Sequence, residues 1–503
     1  MMEVFMKRIF ILVLLFPFVL VTQSYGSDIE ARLKALEEII KSQQETIEKQ
    51  QQEINELKEQ QKRVTLSEES KPLVTQTTPK DSLGQAKGQT FGMTYPITPI
   101  DKKFSEMPKP LEVYSFSQSK FVPDISFILD GSYVSRNVND ETLRKLTVPE
   151  LIPSGISNPN RGFNLNYGEL YLYSPVDPYF DLTATIPFSE NGVEIEEAYF
   201  RTKSLPWGLQ VKGGKFRSSF GRLNVQHNHV WDFADAPLVN RAFLGEDGLK
   251  EKGVQINWLA PTPFYLLFGG EILQGENTAS FGTDAINLQK NGLGFAKDSA
   301  QQPNLFVSYI KASVDIGSLS LLGGLSYAQG QTRQNLTNGS IPQMAYGDAK
   351  IYGLDLTAKY FIDSYRYISW QSEYMYRHMN LNVGTDPAPG DPSQALSIFG
   401  KELKQSGFYS QLVYRFAQRW RIGARYDLLN QNDVYIDGLK QTLPGDLDRI
   451  SAMLEFKPTE FSTLRLQFNR DNSLFDGNNM REPVNSVFLQ FNMAIGAHGA
   501  HAF

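Results

Sequence analysis

The chain has 503 residues, with 49 Lys and Arg against 55 Asp and Glu for a net charge of −6, 41% hydrophobic residues and no cysteine. This balance excludes a basic nucleic-acid-binding protein, and the missing thiols exclude a disulfide framework, thiol catalysis and a lipid-anchored lipoprotein. No stretch beyond residue 26 approaches the roughly 18 continuous apolar residues of a membrane helix, which excludes a helical membrane protein.

Residues 1–26 carry Lys7 and Arg8, then the apolar run Ile9 to Val21, then Ser24-Tyr25-Gly26, the three parts of a secretory signal, so the mature chain is expected from Ser27. Between 27 and 64, apolar residues fall at Ile29, Leu33, Leu36, Ile40, Ile47, Ile54, Leu57 and Val64, a three-four spacing that predicts about five heptads of α-helical coiled coil. Gln43 and Gln50 share the seam with the isoleucines and leave dimer and trimer open; a solvated single helix is the alternative. Residues 65–111, with Pro72, Pro79, Pro96, Pro99, Pro108 and Pro110 among polar residues, read as an extended tether.

From residue 112 to 503 the pattern changes to alternation of apolar and polar residues, as in Tyr352-Leu354-Leu356-Ala358-Tyr360 with Gly353, Asp355, Thr357 and Lys359 between. Sixteen strands are expected, near 124–134, 163–173, 179–188, 193–202, 208–216, 253–260, 263–273, 304–314, 318–328, 351–361, 365–377, 406–416, 420–429, 449–457, 461–470 and 486–497. A soluble sandwich could carry the same repeat, but here short connections such as Pro261-Thr262-Pro263 and Ile316-Gly317 alternate with polar ones of roughly 15 to 36 residues. Aromatic pairs bracket the short turns: Tyr173 and Tyr179, Trp258 and Phe264, Phe361 and Tyr365, Phe416 and Trp420, Phe456 and Phe461. Short periplasmic turns, long external loops and an interfacial girdle predict a 16-stranded antiparallel transmembrane β-barrel in the bacterial outer membrane, with the coil in the periplasm. The terminal strand and Phe503 resemble the signal by which the barrel-assembly machinery recognises its clients.

The connection 217–252 differs from an ordinary surface loop because Leu223, Val230, Trp231, Phe233, Leu238, Val239, Phe243 and Leu244 need something to pack on. Folded inward, it would narrow the lumen and place Asp232, Asp235, Glu246 and Asp247 near a constriction. The polar faces of later strands carry Arg415, Arg421, Arg425 and Arg465, so an acidic loop facing a basic wall would set ion preference; alternatively, each arginine pairs locally and holds the barrel's shape. His227 and His229, two residues apart, would face the same way on an extended segment and could bind Zn²⁺, although polar lining is the plainer reading. His498 and His501 form a second pair. The mature chain contains no GxSxG, HExxH or P-loop, and no cofactor or enzymatic activity is expected.

Signal, coil, tether and barrel in that order resemble the DcaP-like trimeric porins with an amino-terminal periplasmic coil. That resemblance implies a homotrimer passing small hydrophilic solutes through a water-filled barrel in outer-membrane lipid, and the arginine wall would favour anionic ones. The segments "PDISFILDGSY", "LQVKGGKFRSSFGRLN", "HNHVWDFADAPLVNRAF", "GVQINWLAPTPF" and "GAHGAHAF" are also similar to outer-membrane proteins labelled TonB-dependent or zinc-regulated receptors. A TonB-dependent transporter has a globular plug before a barrel of about 22 strands, whereas a coil and a tether precede this one. A zinc-related receptor and an envelope-tethering structural protein are the alternatives to a passive porin.

Overall fold

A computed structural model describes residues 123–152, 160–190, 192–336 and 341–496. The signal at 1–26, the coil at 27–64, the tether at 65–111 and the histidines of the tail lie outside the described residues. One closed antiparallel sheet contains eighteen strand segments; two, Gly192–Val193 and Leu439–Lys440, are two-residue pieces in loops, and the other sixteen form the wall.

In chain order the wall strands are β1 Asp124–Arg136, β2 Gly162–Pro175, β3 Phe180–Ser189, β4 Glu197–Thr202, β5 Leu209–Arg217, β6 Lys250–Leu259, β7 Tyr265–Leu273 and β8 Leu305–Ile316. They continue as β9 Leu319–Asn335, β10 Gln343–Phe361, β11 Tyr367–Thr385, β12 Ser397–Ala417, β13 Trp420–Ile436, β14 Leu447–Thr459, β15 Ser462–Asp471 and β16 Val484–Gly496. Each pairs with the next, and β16 closes on β1 from Ser126 opposite Gly496 to Arg136 opposite Ser486. Both barrel ends therefore lie at the end with the short turns. Closure leaves no unpaired sheet edge, the condition for strands to cross hydrocarbon.

Nearest the turns the wall is apolar outside and polar inside. On β10 Tyr352, Leu354 and Leu356 are exposed while Asp355 is buried; on β13 Ile422 is exposed while Arg425 and Asp427 are buried. Two aromatic rows bound this belt. Trp258 against Phe268 and Trp420 against Phe456 stand near the turns, and Tyr327, Tyr352 and Tyr376 form a row on neighbouring strands, 5.0 and 6.2 Å apart. Eight residues separate Tyr352 from Tyr360, about 27 Å of strand, which a tilt of roughly 45° reduces to about 20 Å of apolar height. Tyr173 and Phe361 share the parity of lumen-facing residues, so the expected girdle loses those two members.

Strands β9 to β13 run well past the expected ends, to Asn335, from Gln343, to Thr385, from Ser397 and to Ile436. Beyond the tyrosine row the alternation persists but its phase inverts. On β11 Met379, Leu381 and Val383 now point inward and are buried, while Asn380 and Asn382 face out. These inward residues join Leu143, Leu146 and Leu151 of loop 137–161, Leu238, Val239, Phe243 and Leu244 of loop 218–249, Phe281 of loop 274–304 and Phe475 of loop 472–483 in one apolar core. Two short helices belong to it: α1, Asp140–Lys145, capped by the Asn139 side chain accepting from the Thr142 N–H at 2.7 Å, and α2, Leu238–Leu244, whose seven residues are all buried. Burying each leucine or phenylalanine contributes about 1.5–3 kcal/mol, enough to hold loops inside a barrel mouth.

Candidate functional site

A loop inside a lumen must satisfy its own backbone N–H groups without a strand partner, and buried carboxylates and hydroxyls of the wall do this. After β5, Ser219 N–H donates to Glu271 of β7 at 2.8 Å, Gly221 N–H to Ser326 of β9 at 3.1 Å, and Arg222 and Leu223 N–H to Glu373 of β11 at 3.0 and 2.8 Å. Lys311 of β8 donates to the Gly221 carbonyl at 2.6 Å. Gly221 has φ +67, and a Cβ there would lie 2.3 Å from a Glu373 oxygen, so the close approach requires glycine.

The loop then crosses to the facing wall. Asp232 receives Arg421 of β13 at 2.7 Å, and Asp235 receives Arg425 of β13 and Arg449 of β14, both at 2.8 Å. Ala234 N–H donates to Gln467 of β15 at 2.7 Å, Leu238 N–H to Asp427 at 3.0 Å, and Arg465 reaches the Trp231 carbonyl at 2.6 Å. The ring of Phe233 lies under the Arg425 guanidinium, 4.7 Å away. Burial pushes the Asp235 carboxyl up, but the Arg449 and Arg425 guanidiniums outweigh burial and hold it well below the ordinary carboxylate range.

Five residues before Asp232, His227 Nε2–H donates to the carboxylate of Glu197 at the start of β4 at 2.8 Å. Its Nδ1 lies 3.5 Å from Glu169 of β2 and 3.4 Å from Glu196. β4 and β13 stand nine places apart one way round the sixteen-strand ring and seven the other, on opposite walls. The segment from His227 to Asp232, with the side chains at its two ends, therefore bridges the two walls. Asn228–Val230 forms a 3-10 turn rather than the expected extended segment, and both imidazoles nevertheless face Glu169. Burial opposes charge on His227, yet Glu169, Glu196 and Glu197 raise its pKa well above that of an ordinary histidine.

Of the residues singled out in the sequence, Asp232, Asp235, Arg421, Arg425 and Arg465 therefore meet in one contact region, joined by Glu455, which pairs with Arg421 at 2.7 Å and Arg465 at 2.8 Å. Charges drawn as facing one another across water are in direct contact, which leaves no open gap between loop and wall at these pairs. Arg415 lies apart, near a short turn, donating to the Gln418 carbonyl. Glu246 and Asp247 sit at the loop's exit, paired with Arg241 at 3.5 Å and Lys250 at 3.7 Å, away from the crossing segment. Residues the sequence reading passed over are Glu169, Glu196, Glu197 and Glu271, all buried. The consecutive Glu196-Glu197 pair at the mouth of a strand was the one available signal.

Toward the turn end Arg222, Arg415 and Arg421 each lie within electrostatic reach of Lys359, with Asp232 the opposing carboxylate. Lys359 Nζ sits 4.4 Å from the Tyr367 ring centroid.

No protein-family model matches the chain. An uncharacterized protein of Aquifex aeolicus (strain VF5) is 52% identical over 419 residues, which span 81% of this chain and 86% of that protein. The chain belongs to the family of that protein. Family membership at this identity carries the fold across most of the chain, but the relative brings no activity with it. Among solved structures, the outer-membrane channel DcaP of Acinetobacter baumannii is 11% identical with a TM-score of 0.44, covering 75% of this chain and 99% of that one. OprB of Pseudomonas putida is 11% identical with a TM-score of 0.43, covering 75% and 95%. An anion-selective porin from Comamonas acidovorans is 12% identical with a TM-score of 0.41, covering 75% and 100%.

Proposed function

We infer that the chain is an outer-membrane channel of the porin type for small hydrophilic solutes, with permeability set by loop 218–249. The apolar belt between two aromatic rows supports placement in a bilayer, and sixteen strands enclose a lumen wider than side chains alone would fill. One observation carries the reading of the loop: it is fixed to opposite walls at His227 and at Asp232 and Asp235. A segment held that way divides the lumen, so conductance depends on whether those contacts hold. Arg222, Lys359 and Arg415 favour anions at the turn-side mouth, Arg421 being already paired with Asp232 and Glu455. Homotrimeric assembly through the coil at 27–64 belongs to the same proposal.

Planar-bilayer recording on purified protein tests it. Wild type should give small, anion-preferring conductance, and Asp232→Asn with Asp235→Asn should raise it several-fold by freeing the crossing segment. No ion-permeable channel in either protein, with both folded by their unheated electrophoretic mobility, would overturn the reading.

A further inference from the structure

We propose that the point where loop 218–249 meets β2 and β4 is a binding site for one divalent transition-metal ion, with Zn²⁺ the best fit. The donors would be His227 Nδ1, Glu169 Oε2 and Glu196 Oε2, which lie within 4.8 Å of one another, and His229, whose Nδ1 stands against Glu169 but outside that group, would supply the fourth by a shift of its ring. Three separate parts of the chain converge there: a lumen-facing strand residue, the mouth of β4 and the middle of the inserted loop. The proposal rests on this geometry and not on whether the barrel conducts.

The spacing is the first argument. His227 Nδ1 stands 3.5 Å from Glu169 Oε2 and 3.4 Å from Glu196 Oε2, and His229 Nδ1 stands 3.5 Å from the same Glu169 oxygen. The enclosed His227 Nδ1 makes no hydrogen bond. Separations of this size are long for hydrogen bonds, yet donors around a tetrahedral Zn²⁺ with bonds of about 2.0 Å lie about 3.3 Å from one another.

Orientation is the second argument. Glu197 holds the far nitrogen of the ring, His227 Nε2, at 2.8 Å, and the other Glu197 oxygen is fixed by the Arg217 N–H at 2.8 Å. A carboxylate behind a histidine selects the tautomer whose opposite nitrogen offers a lone pair, the arrangement found behind most metal-ligating histidines. Glu196 is turned in the same sense, because the Arg217 guanidinium takes Oε1 and leaves Oε2 facing the imidazole.

Charge is the third. Glu169, Glu196 and Glu197 are each at most 7% exposed, and the one guanidinium among them is Arg217. Lys250, 3.9 Å from Glu196, pairs more closely with Glu194 at 3.1 Å. With His227 neutral, as a ligand must be, the carboxylates outnumber the cations set directly against them, and a divalent cation offsets that excess. Imidazole with carboxylate and no thiolate suits Zn²⁺ and its first-row neighbours rather than Ca²⁺ or Mg²⁺.

The test is calorimetric titration of ZnCl₂ into the full-length protein, refolded in detergent and stripped with chelator. Wild type should bind one Zn²⁺ per chain, and X-ray absorption should show only nitrogen and oxygen donors, about two of them imidazole. His227→Gln with His229→Gln should weaken binding at least 100-fold, Glu197→Gln about 10- to 100-fold, and His498→Gln with His501→Gln should change nothing. Absence of binding to wild type, or affinity unchanged in the His227/His229 double variant, overturns the site. Should that double variant fail to fold, Glu169→Gln replaces it, and undiminished affinity there overturns the site equally.

Discussion

The turn-end half and the loop-end half of this barrel are built from the same strands with opposite polarity. On β11 Ile368, Trp370 and Tyr374 face out against Gln371 and Glu373 within; a few residues on, Asn380 and Asn382 face out against Met379, Leu381 and Val383 within. The first half has hydrocarbon as its solvent and keeps its polar groups for the lumen. The second has water outside and buries a core, as a soluble sandwich does. One continuous sheet serves both because period two is indifferent to which face is apolar. The switch lies at the tyrosine row, where amphipathic rings suit a boundary between the two solvents.

The sharpest way to break this comparison is at the loop-end core. Phe243 of α2 is fully buried, with the Arg377 guanidinium 4.6 Å from its ring centroid. Phe243→Ala should cost about 3–5 kcal/mol, read as an earlier urea transition of Trp231 fluorescence with the membrane-embedded band still resistant. An unchanged transition would mean that the outer half is not a packed core.

A smaller effect tests the polarity switch itself. Leu356 of β10 faces out midway along the apolar belt, and Asn382 of β11 faces out beyond it. Leu356→Arg should cost about 2–4 kcal/mol in folding into lipid vesicles, whereas Asn382→Arg should cost close to nothing. Equal effects at the two positions would place both in one solvent and remove the boundary.

The same switch explains what the sequence disclosed. Strands inside the belt are legible because alternation with apolar residues outward is a local pattern, and every expected strand from 124–134 to 486–497 has a counterpart. The extensions of β9 to β13 are not, because their alternation resumes in the other phase around Arg377 and reads as polar loop. Apolar content marked loop 218–249 as needing a partner, and Asp232, Asp235 and the arginines were visible as opposite charges. Their direct pairing was not, since it depends on how far the loop reaches across the lumen. His227 and His229 were legible as a pair by spacing alone, but Glu169 and Glu196 come from elsewhere in the chain and meet His227 only when the loop folds back over β2 and β4.

The smallest effect is expected from acid, and its smallness is informative about the loop. Asp235 sits off the strands, in the loop, and its pKa is lowered by Arg449 and Arg425 against the opposing pull of burial. A carboxylate lowered in the folded state contributes stability that is complete above its unfolded value, about 3.9, and is lost only as pH falls through the folded value. Titration from pH 8 to pH 5 should therefore leave the Asp235 contacts with both arginines intact, with release beginning only below about pH 4. Limited proteolysis of the loop at stepped pH reads this directly. Cleavage that grows between pH 8 and pH 5 in wild type, and not in Asp235→Asn, would show that the carboxylate titrates in the ordinary range and that the ion pairs do not hold the loop to the wall.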